Sequence, residues 1–311
     1  MKNCITLFAI LIVFFSCSAQ PEVTIPDANL AAAVREALGL GPSDPISQKK
    51  FEALEKLSAD NRNVKDLTGL EKAIGLKTLE LRKNQIENLT PLTELTQLTY
   101  LYLGENQISD ITPLTSLTQL TDLDIVANNI SDIEPLANLT QLTTLWLDKN
   151  KISDIRPLSN LIQLTQCYIS DNQIIDIKPL AKLTQLELLW LDKNQISDIN
   201  ILTDLTQLAR LGIELNQISD IKPLAKLTQL TTLYLSDNQI SDIQSLTNLT
   251  QLEVLSLTRN QVSDIKPLTN LTQLDKLYLS ENPIQDMEPL LKLIKQLPDL
   301  EWDFEATNEK K

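Results

Sequence analysis

Seven aromatic side chains fall on one recurring kind of position in this sequence, and aromatic rings in that arrangement offer adhesion rather than bond-making. In each segment of the form LxLxxN, the residues flanking the core leucines point to solvent, by the two-residue alternation of a strand. All five tyrosines, Tyr100, Tyr102, Tyr168, Tyr234 and Tyr278, occupy such positions, as do Trp146 and Trp190. Tyr102, Trp146, Tyr168, Trp190, Tyr234 and Tyr278 share one column, the x of LxL, and are expected to form an interrupted stripe. Trp146, Tyr168 and Trp190 are consecutive in it, with Leu188 beside them. Tyrosine and tryptophan dominate interface hot spots, and a protein gains nothing by leaving such a stripe wet. The plainer account is that aromatics favour strands and stack on cross-strand neighbours, which needs no ligand.

Groups able to make or break bonds are scarce. The chain has no histidine, so the usual proton carrier and metal ligand are missing. It also lacks a glycine-rich phosphate loop, a G-x-S-x-G segment and a C-x-x-C pair. Asp122 and Asp124 pair two carboxylates on the same strand, and the expectation is a solvated charge pair. Asp110, Asp132, Asp154, Asp176, Asp198, Asp220, Asp242, Asp264 and Asp286 recur in a column that invites calcium. They lack the D-x-D-x-D-G spacing of calcium loops, and Asp154-Ile155-Arg156-Pro157 is the pattern of a capped tight turn. Cys167 stands where a leucine belongs and reads as a small buried side chain, not a reactive thiol. No disulfide framework can be drawn from three cysteines. Catalysis, a cofactor and a metal site are therefore not expected. The formal charge of -14 repels nucleic acid and anionic lipid, which excludes both as partners. Around the stripe the charges are mixed, with Asp148, Asp192 and Glu214 against Lys149, Lys193 and Arg210 among others, which suits a protein surface.

What positions these side chains is a repeat. Asn84, Asn106, Asn128, Asn150, Asn172, Asn194, Asn216, Asn238, Asn260 and Asn282 lie 22 residues apart, inside segments of the form LxxLxLxxNxI in which Ile, Val or Cys replaces an apolar residue in some repeats. That period and motif resemble the leucine-rich repeat, a solenoid of stacked strand-and-turn units. The fold expected is an α/β solenoid, a horseshoe with a parallel concave β-sheet, a helical N-terminal cap and short or 3-10 turns on the convex side. The asparagine carboxamides are expected to bond turn backbone of their own and adjacent repeats.

Four segments follow from this. Residues 1–19 carry Lys2, the apolar run CITLFAILIVFF and the string SCSA, which together match a bacterial secretory signal. Cleavage before Cys17 would make it the lipid-attachment residue; cleavage after Ala19 would remove it. Residues 20–75 form a helical cap and a degenerate first repeat. Asp27 caps a helix whose apolar stripe is Leu30, Ala33, Val34, Ala37 and Leu38, ended by Gly39 or Gly41. A second short helix follows between Ser47 and Leu57, with Phe51, Leu54 and Leu57 inward, and Arg62 stands at the marker asparagine's place. Residues 76–296 hold ten repeats. Residues 297–311 close the array, with Trp302 as a lid and a disordered tail.

The cap sequence IPDANLAAAVREALGL, a short second helix and NVKDLTGLEKAIGLKTLELRKNQI together resemble the bacterial internalins, over Ile25 to Leu290. The resemblance implies a curved array whose concave strands bind a partner protein. No immunoglobulin-like module and no wall-sorting signal follow the array, so host-cell invasion is not implied. The expected function is an exported, secreted or surface-anchored, non-catalytic module holding a protein on its concave face. Alternatives are a glycan binder using the same aromatics, and an intracellular regulator resembling the leucine-rich-repeat subunit of phosphatase-1, which the leader argues against.

Overall fold

A computed structural model describes residues 22–303. The leader, the candidate lipid-attachment residue Cys17 and the carboxyl tail lie outside the described residues. The cap comes first: α1 (Ala28–Ala37), α2 (Gln48–Glu52) and then the first strand, β1 (Lys56–Ser58). Next come β2 (Thr78–Glu80), β3 (Tyr100–Tyr102), β4 (Asp122–Asp124), β5 (Thr144–Trp146), β6 (Gln166–Tyr168) and β7 (Leu188–Trp190). The series ends with β8 (Arg210–Gly212), β9 (Thr232–Tyr234), β10 (Val254–Ser256), β11 (Lys276–Tyr278), the helix α3 (Glu288–Gln296) and β12 (Glu301–Trp302). These twelve strands form one parallel sheet in chain order.

Register explains the core. From β1 to β11 each strand pairs with the next at a shift of one repeat, so Leu79, Leu101, Leu123, Leu145, Cys167 and Leu189 form one ladder. All of them are fully buried. Short 3-10 turns from Leu70–Lys72 to Lys266–Asn270 return the chain behind the sheet, most with proline in the first turn. Neighbouring strands sit about 4.8 Å apart, closer than packed turns can, so the sheet becomes the inner, concave face.

The marker asparagines do what the sequence reading assigned them. Nδ2 of Asn106 donates to the carbonyls of Leu103 in its own repeat (2.9 Å) and Leu81 in the preceding one (2.9 Å). Its Oδ1 accepts from Ile86 N–H at 3.0 Å. Before each asparagine the chain enters the left-handed region, φ +52° to +58° from Lys83 to Glu281. The SDI aspartates are turn caps: Asp154 Oδ1 accepts from Arg156 N–H at 2.9 Å and Asp220 Oδ1 from Lys222 N–H at 2.9 Å.

The cap seals the first edge. Asp27 Oδ1 accepts from Asn29 and Leu30 at the start of α1, while its Oδ2 accepts from Lys65 and Asp66 in the degenerate repeat. Burial raises the Asp27 carboxyl, but these four N–H groups outweigh it and hold the carboxyl below its ordinary value. Arg62, at the asparagine's place, bonds Glu36 of the cap at 2.6 Å. Two expectations need correction. Ala37, the last residue of α1, is exposed, and the fully buried part of the stripe ends at Val34. The second helix stops at Glu52, and Leu57 instead starts the sheet's core ladder in β1, with Leu54 only partly buried.

Candidate functional site

The strand centres face the core, so the two flanking residues of each strand face the concavity. The pairings place Tyr102, Asp124, Trp146, Tyr168, Trp190, Gly212, Tyr234, Ser256 and Tyr278 in one unbroken register row. The six aromatics of this row are half-buried, each presenting part of its ring to solvent. Tyr100 lies one column away and is 42% exposed. Leu188 does not join them: it lies in register between Gln166 and Arg210 and is only 8% exposed, so it supports the face without presenting one.

The stripe is not one cluster. Trp146 and Tyr168 stack, with centroids 5.6 Å apart and planes 20° apart. Trp190 turns the other way, reaching across β8 to Tyr234 at 5.5 Å. Gly212 lies between those two residues and makes the crossing feasible, since a Cβ there would sit 1.9 Å from Trp190 Cε3. At the ends, neighbours take up the rings. The Arg82 guanidinium lies 4.1 Å over Tyr102 and bonds Asp124 at 2.6 Å, while Tyr278 donates to Glu301 at 3.1 Å. Asp124 is thus nearly buried and ion-paired, a correction to the solvated Asp122–Asp124 pair expected from sequence.

Beside the central aromatics runs a second column that the sequence reading left among mixed charges. Asp148 Oδ1 accepts from Ser170 N–H at 2.7 Å, and Asp192 Oδ1 accepts from Glu214 N–H at 2.8 Å. Ser170 Oγ donates to Asp192 Oδ2 at 3.3 Å and accepts from Asp192 N–H at 3.1 Å. Burial, reinforced by Asp192 and Asp124, pushes the Asp148 carboxyl up to about 6 against the Ser170 bond. Burial, reinforced by Glu214, likewise pushes Asp192 up to about 6. Leu215 was also missed: it is 43% exposed while holding a left-handed φ of +53°, a costly place for a leucine. Cys167 is buried beneath, and burial aided by Asp148 pushes its thiol up to about 12, so it stays protonated and inert.

Two expected results arise here. The folded carboxyls of Asp148 and Asp192 titrate above their unfolded value, so their contribution favours the fold at low pH and is lost as pH rises through about 6. Asp148→Asn with Asp192→Asn should therefore stabilise the array by about 1–2 kcal/mol per site at pH about 7.5 and add little at pH about 4. Melts of both proteins across that range check it; a double variant less stable at neutral pH contradicts it. Gly212→Ala should push Trp190 off Tyr234, costing about 1 kcal/mol of stability, the size of one aromatic pair. A melting midpoint identical to the parent would mean the crossing carries no energy.

Comparison with known proteins gives the same architecture. The family model described as Leucine Rich repeats (2 copies) matches residues 74–116, 96–138, 118–160, 162–205, 206–248 and 250–300. The chain is similar to an internalin (inlF) from Listeria monocytogenes, at 36% identity and a TM-score of 0.77, covering 91% of this chain and 96% of that one. It is similar to internalin C2 of the same organism at 35% identity and a TM-score of 0.50, covering 82% and 96%. A leucine-rich-repeat protein of Leptospira interrogans aligns at 25% identity and a TM-score of 0.70, covering 83% and 75%. No curated protein matches the chain in sequence.

Proposed function

Because the chain belongs to the leucine-rich repeat family, in its internalin-like form, we propose that it is an exported, non-catalytic binding module that holds a protein partner on its concave sheet. One observation carries this reading: Trp146, Tyr168, Trp190 and Tyr234 keep part of each ring exposed at the middle of the sheet. A ring pair in water forgoes most of what burying it against a partner would gain, and central tryptophan and tyrosine are where binding energy concentrates. Tyr102 and Tyr278, already engaged by Arg82 and Glu301, flank these anchors, with Tyr100 and Leu215 outside the row.

Export rests on residues 1–19, with Cys17 the lipid-attachment residue if cleavage precedes it. No described helix is long and apolar enough to cross a membrane.

The test is capture from surface and extracellular extracts by the protein, beside a variant carrying Trp146→Ala, Tyr168→Ala and Trp190→Ala, both first shown to melt alike. The expected result is a protein held by the parent and lost by the variant. Release of that capture by soluble oligosaccharides, or capture unchanged in the variant, would overturn the reading.

A further inference from the structure

The ion pairs of the concave face are unevenly placed. Toward the amino end, Lys56 bonds Glu80 at 2.6 Å, Arg82 bonds Asp124 at 2.6 Å and Lys83 approaches Glu105 at 3.7 Å. Toward the carboxyl end, Arg259 pairs with both Asp237 and Glu281, and Lys276 bonds Glu301 at 2.9 Å. Between them, in the repeats of β5 to β8, Asp148, Asp171, Asp192 and Glu214 have no ion pair among the described residues. Lys149, Lys193 and Arg210 are in the same repeats, yet none approaches those carboxylates closely enough to pair. The charges that weigh most on Asp148 are Asp192 and Asp124, and on Asp192 Glu214, all carboxylates, while the Arg210 cation acts on Tyr168.

The same place is where the aromatic stripe divides. Trp146 and Tyr168 stack on each other, Trp190 leans away to Tyr234, and among the described residues no ring pair joins Tyr168 to Trp190. In the neighbouring column that gap is matched by Ser170 and Asp192, with Asp148 one strand before. Asp148 reaches the Ser170 amide and Asp192 the Ser170 hydroxyl, so the two carboxylates converge on one residue. Strands about 4.8 Å apart put a group seated over Ser170 within about 5 Å of both. Aromatic walls beside carboxylates without an ion pair favour a cation with a long apolar stem, and disfavour an anion.

Resting on the reading that the concave stripe is the partner site, we propose that the break between Tyr168 and Trp190 receives a lysine or arginine side chain of the partner, its charge set against Asp148 and Asp192 over Ser170. The partner's docking segment is therefore basic. Because both carboxyls must ionise to hold the cation, binding strengthens as pH rises through about 6 and fades below it.

The chain has three tryptophans, and Trp302 lies in the last strand, away from the site, as an internal control. Indole N–H resonances of the labelled protein are followed while acetylated tetralysine amide or tetraglutamate amide is added at matched ionic strength. Tetralysine should move the Trp146 and Trp190 signals and leave Trp302 in place. Its affinity should fall about tenfold or more between pH about 7.5 and pH about 5, and by a similar factor in Asp148→Asn, Asp192→Asn. Silence with tetralysine, equal response to tetraglutamate, or full affinity in the double variant overturns the proposal. The captured partner separates this from the parent reading. Loss of capture in the aromatic variant but not in the double asparagine variant leaves the stripe standing and removes the basic segment, whereas loss in neither removes both.

Discussion

Asn150→Ala is expected to lower the unfolding free energy by about 3 kcal/mol. Asn150 is 9% exposed and works as a strut between repeats. Its Nδ2 donates to Leu147 O and Ile125 O, both at 3.0 Å, and its Oδ1 accepts from Ile130 N–H at 3.1 Å. Alanine leaves the Ile130 amide in a dry turn with no replacement partner, while Ile125 O keeps its bond from Asn128 and Leu147 O its bond from Asn172, and an unpaired buried group costs more than the mean bond contributes. In a solenoid each repeat is held only by its neighbours, so the damage falls at one interface and the transition should broaden as well as shift. Asn172, in the same ladder but partly exposed, should cost about 1–3 kcal/mol because water reaches its groups. Urea melts of both variants give the comparison, and an unchanged midpoint for Asn150→Ala would contradict the role assigned to the column.

The second large effect concerns binding and should leave the fold nearly untouched. Trp146→Ala and Trp190→Ala are each expected to weaken partner binding by about 2 kcal/mol or more, roughly a thirtyfold loss. Neither ring is in the core, which lies behind the sheet, so each truncation forfeits little more than one aromatic pair from the folded state, about 0.5–1.5 kcal/mol. Tyr278→Ala serves as the contrast, since its hydroxyl is already committed to Glu301 at the last strands. Two tryptophan variants that bind as tightly as Tyr278→Ala would mean that the stripe is strand packing alone.

The architecture was legible because a solenoid writes the same physics into every turn. The 22-residue spacing of the asparagines, the leucines ahead of them and the Asp27 cap each specify a local geometry that stacking then enforces. The inner face was legible only as columns. Strand alternation could say that Trp146, Tyr168 and Trp190 share a row, but not which way a ring leans. That choice depends on Gly212 one strand farther on, whose missing Cβ admits Trp190 and redirects it to Tyr234. The one trace in the sequence was a glycine at a strand position, a place where glycine usually marks a close approach. Asp148 and Asp192 were harder still. Their sequence neighbours Lys149 and Lys193 suggest compensated charge, and only the three-dimensional arrangement leaves these carboxylates facing each other through Ser170. Leu188 failed in the opposite sense, because alternation gives direction without saying what covers a side chain that is 8% exposed.

The most direct test of the central claim is an oxidative footprint of the protein with and without its captured partner, read at the three tryptophans. Trp146 and Trp190 should be shielded by the partner to a similar degree, with Trp302 oxidised at the same rate in both states. Equal oxidation of Trp146 and Trp190 with and without partner would contradict a concave site.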